Sequence, residues 1–151
     1  MPQEWTIRTE NSDDIPFIYA TWSNCIKQGS DLGRISGTIL FFTAFHKLID
    51  SILLKETCKI RVACLPDDPN VILGFLVAYP TQIHFIFVKQ VFRGLGIGRA
   101  LYEAAGKPLI YTMKTSLIEP LLTKMPGLIY NPFEAVLTFK QRGVNGTEDV
   151  S

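Results

Sequence analysis

The stretch Ile83-His84-Phe85-Ile86-Phe87-Val88-Lys89-Gln90-Val91-Phe92-Arg93-Gly94-Leu95-Gly96-Ile97-Gly98-Arg99-Ala100-Leu101 changes character twice. Its first residues are rich in Ile, Phe and Val and read as a strand. Glycines then stand at alternate positions, Gly94, Gly96 and Gly98, and a helix is predicted from about Gly98 to Ala105. Alternating glycines let the chain curl tightly with its N–H groups turned into one concavity. The helix adds unpaired N–H donors and the positive end of its dipole. Strand, glycine turn and helix start in this order predict a seat for a phosphate or pyrophosphate. A glycine turn with no ligand is the competing reading.

Two common phosphate binders fit poorly. A P-loop ends in Gly-Lys-Ser/Thr, whereas this turn ends Gly98-Arg99-Ala100. A dinucleotide fingerprint needs GxGxxG with an acidic residue about 20 positions later. Here the spacing is GxGxG and position 118 is Ile.

Upstream, Trp5 to Arg8 reads as a short strand. Asn11-Ser12-Asp13-Asp14 offers caps and an acidic first turn to a helix through Phe17, Ile18, Ala20, Trp22 and Cys25, with Pro16 tolerated near its start. Gly29 to Gly33 breaks that helix. The spacing of Leu40, Phe41, Ala44, Phe45, Leu48 and Ile52 predicts a second one from about Gly37 to Lys55. Lys59 to Leu65 alternates and stops at Pro66-Asp67-Asp68-Pro69-Asn70. With Val71 to Tyr79 and Gln82 to Lys89 it makes an antiparallel meander. Downstream, Leu109 to Met113 is a strand able to return beside its predecessor, and Ser116 to Met125 is helical. Leu128 to Tyr130 and Ala135 to Phe139 are short strand candidates. Residues 1 to 140 read as one domain, and Gln141 to Ser151 as a mobile tail.

The 151 residues are 47% hydrophobic and 19% charged, the material of a packed core rather than of a disordered chain. Fifteen basic side chains against fourteen acidic ones leave +1, which excludes a globally basic nucleic-acid coat but not a local patch. A mean hydropathy of +0.19 raises the membrane question. The richest segment, Ile35 to Leu54, contains His46, Lys47 and Asp50. No run approaches the roughly 20 apolar residues of a spanning helix. The first residues lack a basic start followed by an apolar run, so no secretory signal and a cytoplasmic location are expected. Cys25, Cys58 and Cys64 have no CxxC spacing and read as free thiols, with no metal site. Asn145-Gly146-Thr147 fits the glycosylation pattern by accident.

Around the glycine turn the sequence resembles the Gcn5-related N-acetyltransferases. Their signature, Arg/Gln-x-x-Gly-x-Gly/Ala after a strand and opening a helix, is met by Arg93-Gly94-Leu95-Gly96-Ile97-Gly98, with Val88 five residues before the arginine. The element order fits over about residues 4 to 115, and the segment from Ile83 to Leu101 is the specific part. The resemblance implies an α/β (α+β) fold: a mixed, twisted central sheet with helices on both faces, its strands at Ile83–Val88 and Leu109–Met113 splayed at one end. It implies acetyl-CoA as acyl donor, held at its pyrophosphate by the backbone through Gly94, Leu95, Gly96, Ile97, Gly98 and Arg99. The pantetheine arm would pair with main chain at Phe87, Val88 and Lys89, and an N–H near Val88 would hold the oxyanion. Arg93 and Arg99 are expected as solvated charges near a phosphate.

Acyl transfer from a thioester to an amine also needs a base and often an acid. A two-residue strand period puts Gln82, His84, Ile86 and Val88 on one face, so His84 is expected on the side of Val88. Its ordinary pKa of about 6.5 suits a base, and the arylalkylamine branch of the family is similar in placing a histidine there. A histidine bonded quietly within the sheet is the alternative. His46 reads as a helix-face residue, in a region (Gln28 to Leu54) that in this family walls the acceptor side. Beyond Met113 the chain departs from the family, whose Asn and helical Tyr have no counterpart. Tyr111, Ser116 and Tyr130 are the available hydroxyls, and the acid is unassigned. Tyr130-Asn131-Pro132 is similar to a stretch in phage Mom-like DNA-modifying proteins, which would imply a nucleobase acceptor. Lys107, Lys114, Lys124, Lys140 and Arg142 could supply the surface for it. Three functions therefore stand open: an acetyl-CoA-dependent N-acetyltransferase acting on an amine in a ternary complex, a base-modifying enzyme, and a silent acyl-CoA-binding module. A monomer or homodimer with no membrane partner is expected.

Overall fold

The computed structural model describes residues 4–134. The strand candidate Ala135 to Phe139, the polar tail, the Asn145 motif, Lys140 and Arg142 lie outside them. Six strands form one sheet in chain order: β1 (Thr6–Thr9), β2 (Lys59–Cys64), β3 (Ile72–Ala78), β4 (Gln82–Val88), β5 (Ile110–Tyr111) and β6 (Ile129–Tyr130). Pairing is antiparallel from β1 to β4, then parallel for β4–β5 and β5–β6. This is the mixed α/β sheet that the sequence predicts.

Every residue of β3 is buried, because this central strand has helices on both faces. On one face lie α1 (Ile15–Gly29) and α3 (Thr38–Leu53), whose Ile18, Trp22, Phe45 and Ile49 meet Val62, Phe75, Val77 and Phe85. On the other lie α4 (Ile97–Ala104) and α5 (Glu119–Lys124), whose Leu101, Tyr102 and Leu121 meet Leu73, Leu76, Ile83 and Ile86. Gly74 lets β4 approach, since a Cβ there would stand 2.5 Å from the Phe87 carbonyl oxygen.

The start of α1 is fixed as its polar residues suggest. Asn11 accepts from the Asp13 N–H at 3.0 Å. Asp14 accepts from the Asn11 N–H at 2.8 Å and from the Arg8 guanidinium at 2.7 and 2.9 Å. The expected break from Gly29 to Gly33 instead carries a short helix, α2 (Asp31–Ile35). Ser30 caps it by accepting from the Gly33 N–H at 3.1 Å, and Lys27 donates to the carbonyls of Gly33 and Ser36 at 2.6 and 2.8 Å. The strand expected over Leu109 to Met113 is regular only at Ile110–Tyr111, and α5 is shorter than the predicted Ser116 to Met125.

Candidate functional site: a cleft where two strands part

Strands β4 and β5 run side by side only briefly. Gln82 faces Ile110 and Ile83 faces Tyr111. The Thr112 N–H still donates to the Ile83 carbonyl at 3.0 Å. Beyond that point β5 ends while β4 continues to Val88.

The parting coincides with a β-bulge. Val77 faces Phe85 and the next residue, Ala78, faces Ile83, so His84 is the extra residue of β4. The expected face of His84 is therefore corrected. Its ring stands edge-on to Tyr79, centroids 4.2 Å apart, and Tyr79 belongs to the α1–α3 core. Ile86 and Val88 pack on the α4 face. One inserted residue shifts the alternation, so parity counted back from Val88 fails at His84. His84 is fully buried, and its Nδ1 lies 2.9 Å from Thr112 Oγ1. Burial, with Lys55 nearby, pushes its pKa down to about 3.

The remainder of β4 has no strand beside it, and on this edge the Val88 carbonyl accepts from Arg93 Nε at 3.0 Å. In an antiparallel ladder alternate residues turn both backbone groups to the same neighbour. The Lys89 N–H donates to Leu73 at 2.8 Å. Phe87, two residues back and opposite Phe75, therefore also faces β3, while Ile86 and Val88 face the gap. This corrects the expectation that Phe87 and Lys89 offer main-chain groups to a ligand. The Phe87 ring lies on the far face, 5.7 Å from that of Phe75 and 6.2 Å from that of Phe17.

From Val88 the chain passes through a single turn, Gln90–Phe92, into the glycine loop. Gly94 and Gly96 adopt φ of +83° and +86°, the left-handed conformation that disfavours a side chain. Ala100 is the first α4 residue with an N–H bond back to the loop, to Gly96 at 3.0 Å. Helix geometry leaves the N–H groups of Ile97, Gly98 and Arg99 without partners inside α4. Gly98 has no unusual φ, and a Cβ there would meet Ile86 Cδ1 and Val88 Cγ2 at 3.8 and 3.9 Å, ordinary contacts.

These groups open into one cleft of about 650 Å³, part of it open to solvent. Its loop side is formed by Val88, Phe92, Arg93, Gly94, Gly96, Ile97, Gly98 and Arg99, with Ile86 in the floor. The opposite wall is Ser116, Leu117, Pro120, Leu121 and Lys124, from the turn before α5 and from α5 itself. Three cations thus border an array of N–H donors. Arg99 is also paired with Glu103 at 3.2 Å.

The structure therefore brings most predicted ligand-binding residues together and leaves other candidates apart. The Leu95 side chain is exposed outside the cleft lining. Tyr111 is buried against α4 and α5 and stacks on Tyr130 at 5.1 Å; neither lines the cleft. Of the three hydroxyls weighed from sequence, Ser116 alone reaches it. Tyr130-Asn131-Pro132 makes a turn, with Asn131 Oδ1 accepting from the Phe133 N–H at 3.2 Å. His46 sits on the exposed side of α3, 3.4 Å from Ser23 Oγ. The α5 wall was hidden in the sequence because it belongs to the segment that departs from the family pattern. The sequence shows the helix itself, over Ser116 to Met125 with Glu119-Pro120 in its first turn, but not that it faces the glycine loop.

No protein-family model and no curated protein matches the sequence. Solved structures do match in fold. A candidate acetyl transferase from Pyrococcus furiosus superposes with a TM-score of 0.63 at 19% identity, covering 82% of this chain and 90% of that one. A candidate acetyltransferase from Clostridium difficile 630 gives 0.53 at 15% identity over 85% and 92% of the two chains. A GCN5-related N-acetyltransferase from Rhodopseudomonas palustris gives 0.53 at 17% identity over 83% and 82%. The chain is an α/β protein with the Gcn5-related N-acetyltransferase fold.

Proposed function

We propose that the protein is an N-acyltransferase that moves an acetyl group from acetyl-CoA to an amine within a ternary complex. One observation carries this reading: the free edge of β4 and the donor array of the glycine loop open into the same cleft. An acyl-CoA needs both, a peptide-like edge for its pantetheine amides and a concentrated donor site for its pyrophosphate. The residues fit the group. Gly98 keeps the floor low between the loop and Val88, and Arg93, Arg99 and Lys124 supply positive charge around it.

In this reading the backbone N–H groups from Gly94 to Arg99 bind the pyrophosphate, and the Ile86 backbone pairs with the pantetheine arm, the Val88 carbonyl being already bonded to Arg93. The amine nitrogen forms its bond to the carbonyl carbon, the carbon–sulfur bond breaks, and CoA leaves as a thiol while the amine loses one proton. The Val88 N–H donates to the carbonyl oxygen as negative charge builds there, a preorganised contact that strengthens in the transition state. Ser116, whose residue lines the cleft, is in this reading the hydroxyl that hydrogen-bonds the departing sulfur. His84 stays out of proton transfer in this scheme, sealed on the other face of the sheet.

Thermal unfolding with and without acetyl-CoA tests the reading, because a ligand that binds only the native state raises the melting temperature. A clear rise is expected, together with amine-stimulated release of CoA thiol. No shift with any acyl-CoA would sink the donor assignment. A shift without amine-stimulated release would make the protein a binding module.

A further inference from the structure

We propose that His84 and Thr112 form a latch at the vertex between β4 and β5 and set how far the two strands open; the inference rests on the acyl-CoA reading of the cleft. Both side chains are buried, at 0% and 2% exposure, and they meet at 2.9 Å where the pairing stops. Thr112 is tied to β4 twice more. Its N–H donates to the Ile83 carbonyl at 3.0 Å, and its hydroxyl donates to the same oxygen at 3.3 Å.

These bonds define the state of the imidazole. The Thr112 hydroxyl has one proton and directs it to Ile83, so Oγ1 accepts from His84 Nδ1–H. Nε2 is then a bare lone pair, and it has no hydrogen-bond partner. Protonating it would create an N–H with no acceptor in a sealed site, so His84 is fixed in one neutral tautomer. The bulge supplies the reason that a histidine can serve here. It turns residue 84 out of the alternation and toward Thr112, which an ordinary strand residue facing the α4 side would not reach. The far side of the ring is braced by Tyr79, whose hydroxyl donates to the Ile52 carbonyl at 3.0 Å. The vertex is thereby anchored to α3. His84 and Thr112 are positioning residues: they touch no part of the cleft, and they act through the open edge at Ile86 and Val88.

The test is coenzyme A binding by calorimetry to wild-type protein and to Thr112→Val, which keeps the side-chain shape and removes the hydroxyl. Losing both hydrogen bonds of the Thr112 hydroxyl, to His84 and to the Ile83 carbonyl, is expected to weaken binding about five- to tenfold. Thr112→Ser should restore binding to within about twofold on the same scale. A purely structural role would lower the melting temperature and leave the affinity of the folded protein unchanged. Wild-type protein that fails to bind coenzyme A overturns the cofactor reading and the latch with it. Wild-type binding that is undiminished in Thr112→Val overturns the latch alone. If Thr112→Val does not fold, amide exchange on the wild type decides. The Thr112 N–H should be protected with or without coenzyme A, and the Val88 N–H protected only with it. Exchange at Thr112 as fast as at Val88 in the free protein overturns the latch.

Discussion

Arg93 turns back on the strand it follows, donating from Nε to the Val88 carbonyl at 3.0 Å. The end of β4 and the start of the glycine loop are thus joined by a side chain as well as by the chain itself. Val88 turns this carbonyl toward the cleft, so the guanidinium is held at the cleft rather than free in solvent. Arg93→Ala should weaken acetyl-CoA binding about three- to tenfold, the range of an exposed charged contact. Arg93→Gln should recover part of the loss because an amide can still donate. Titration calorimetry at two salt concentrations checks it. Equal affinities for wild type and Arg93→Ala would remove the contact from the site.

Gly98 is the cleanest probe of the cleft floor. A methyl there makes ordinary contacts with Ile86 and Val88, so Gly98→Ala should fold and still bind. The branched side chain of Gly98→Val should fill the floor and abolish stabilisation by acetyl-CoA while leaving the ligand-free melting temperature within a few degrees. At a ligand concentration about 100-fold above Kd the wild type gains about 2.7 kcal/mol, the difference to look for. Gly94 and Gly96 are poorer probes, since their positive φ makes any side chain strained regardless of ligand.

Lys124 reaches the cleft from α5, across from the glycine loop. Lys124→Glu should weaken binding of acetyl-CoA several-fold at low ionic strength and less at about 1 M salt, where charges are screened within about 3 Å. Stability should change little, because the side chain is exposed. A loss of affinity that is independent of salt would mean that the substitution disturbs α5 itself.

The pH dependence of stability separates two buried groups. His84 in the folded protein titrates near 3, below its ordinary 6.5. Between these values the unfolded chain binds a proton that the folded protein refuses. Stability is therefore full above about pH 6.5 and falls as the pH drops toward 3, at up to about 1.4 kcal/mol per pH unit. His84→Gln removes this slope. Denaturant titrations from pH 7 to pH 4 should show the wild type losing its excess sensitivity to acid in the variant. A parallel pair of curves would refute the buried neutral ring.

Asp14 acts in a lower window. The bonds from Arg8 hold its carboxyl below the ordinary 3.8, so its contribution is present above that value and lost as the pH falls further. Asp14→Ala should cost about 1.5–3 kcal/mol at pH 7, because a buried carboxylate with charged and backbone donors is removed. Urea unfolding measures it, and acetyl-CoA affinity of the folded fraction should be unchanged.

The parts of the fold set by local chemistry were legible from the residues. Asn11 and Asp14 carry a cap, the run from Val71 to Tyr79 is a doubly covered strand, and Gly94-Leu95-Gly96 can only be a turn. The cleft's loop side followed for the same reason. The face of His84 is not legible because a bulge is a relation between two strands, and nothing within Gln82 to Val88 announces which residue lacks a partner. The second wall is not legible, because Ser116 and Lys124 come to face the glycine loop only when α5 packs through Leu121 onto the α4 face. Phe87 was assigned to the ligand by analogy, and the direction of its backbone groups depends on the pairing of β3.

Parallel neighbours cannot be joined by a hairpin, so each step from β4 to β5 and from β5 to β6 needs a crossover. The first carries α4 and the second carries α5, and both helices pack on the same face. Two crossovers that advance in one direction over one face must share the same hand. The groove between α4 and α5 is thus a result of chirality and connection length as much as of side chains. An insertion or deletion between Thr112 and Ser116 would tilt α5 while leaving the glycine loop in place. The width of the cleft and the donor array of the glycine loop are therefore controlled by separate stretches of chain, and either can change without the other.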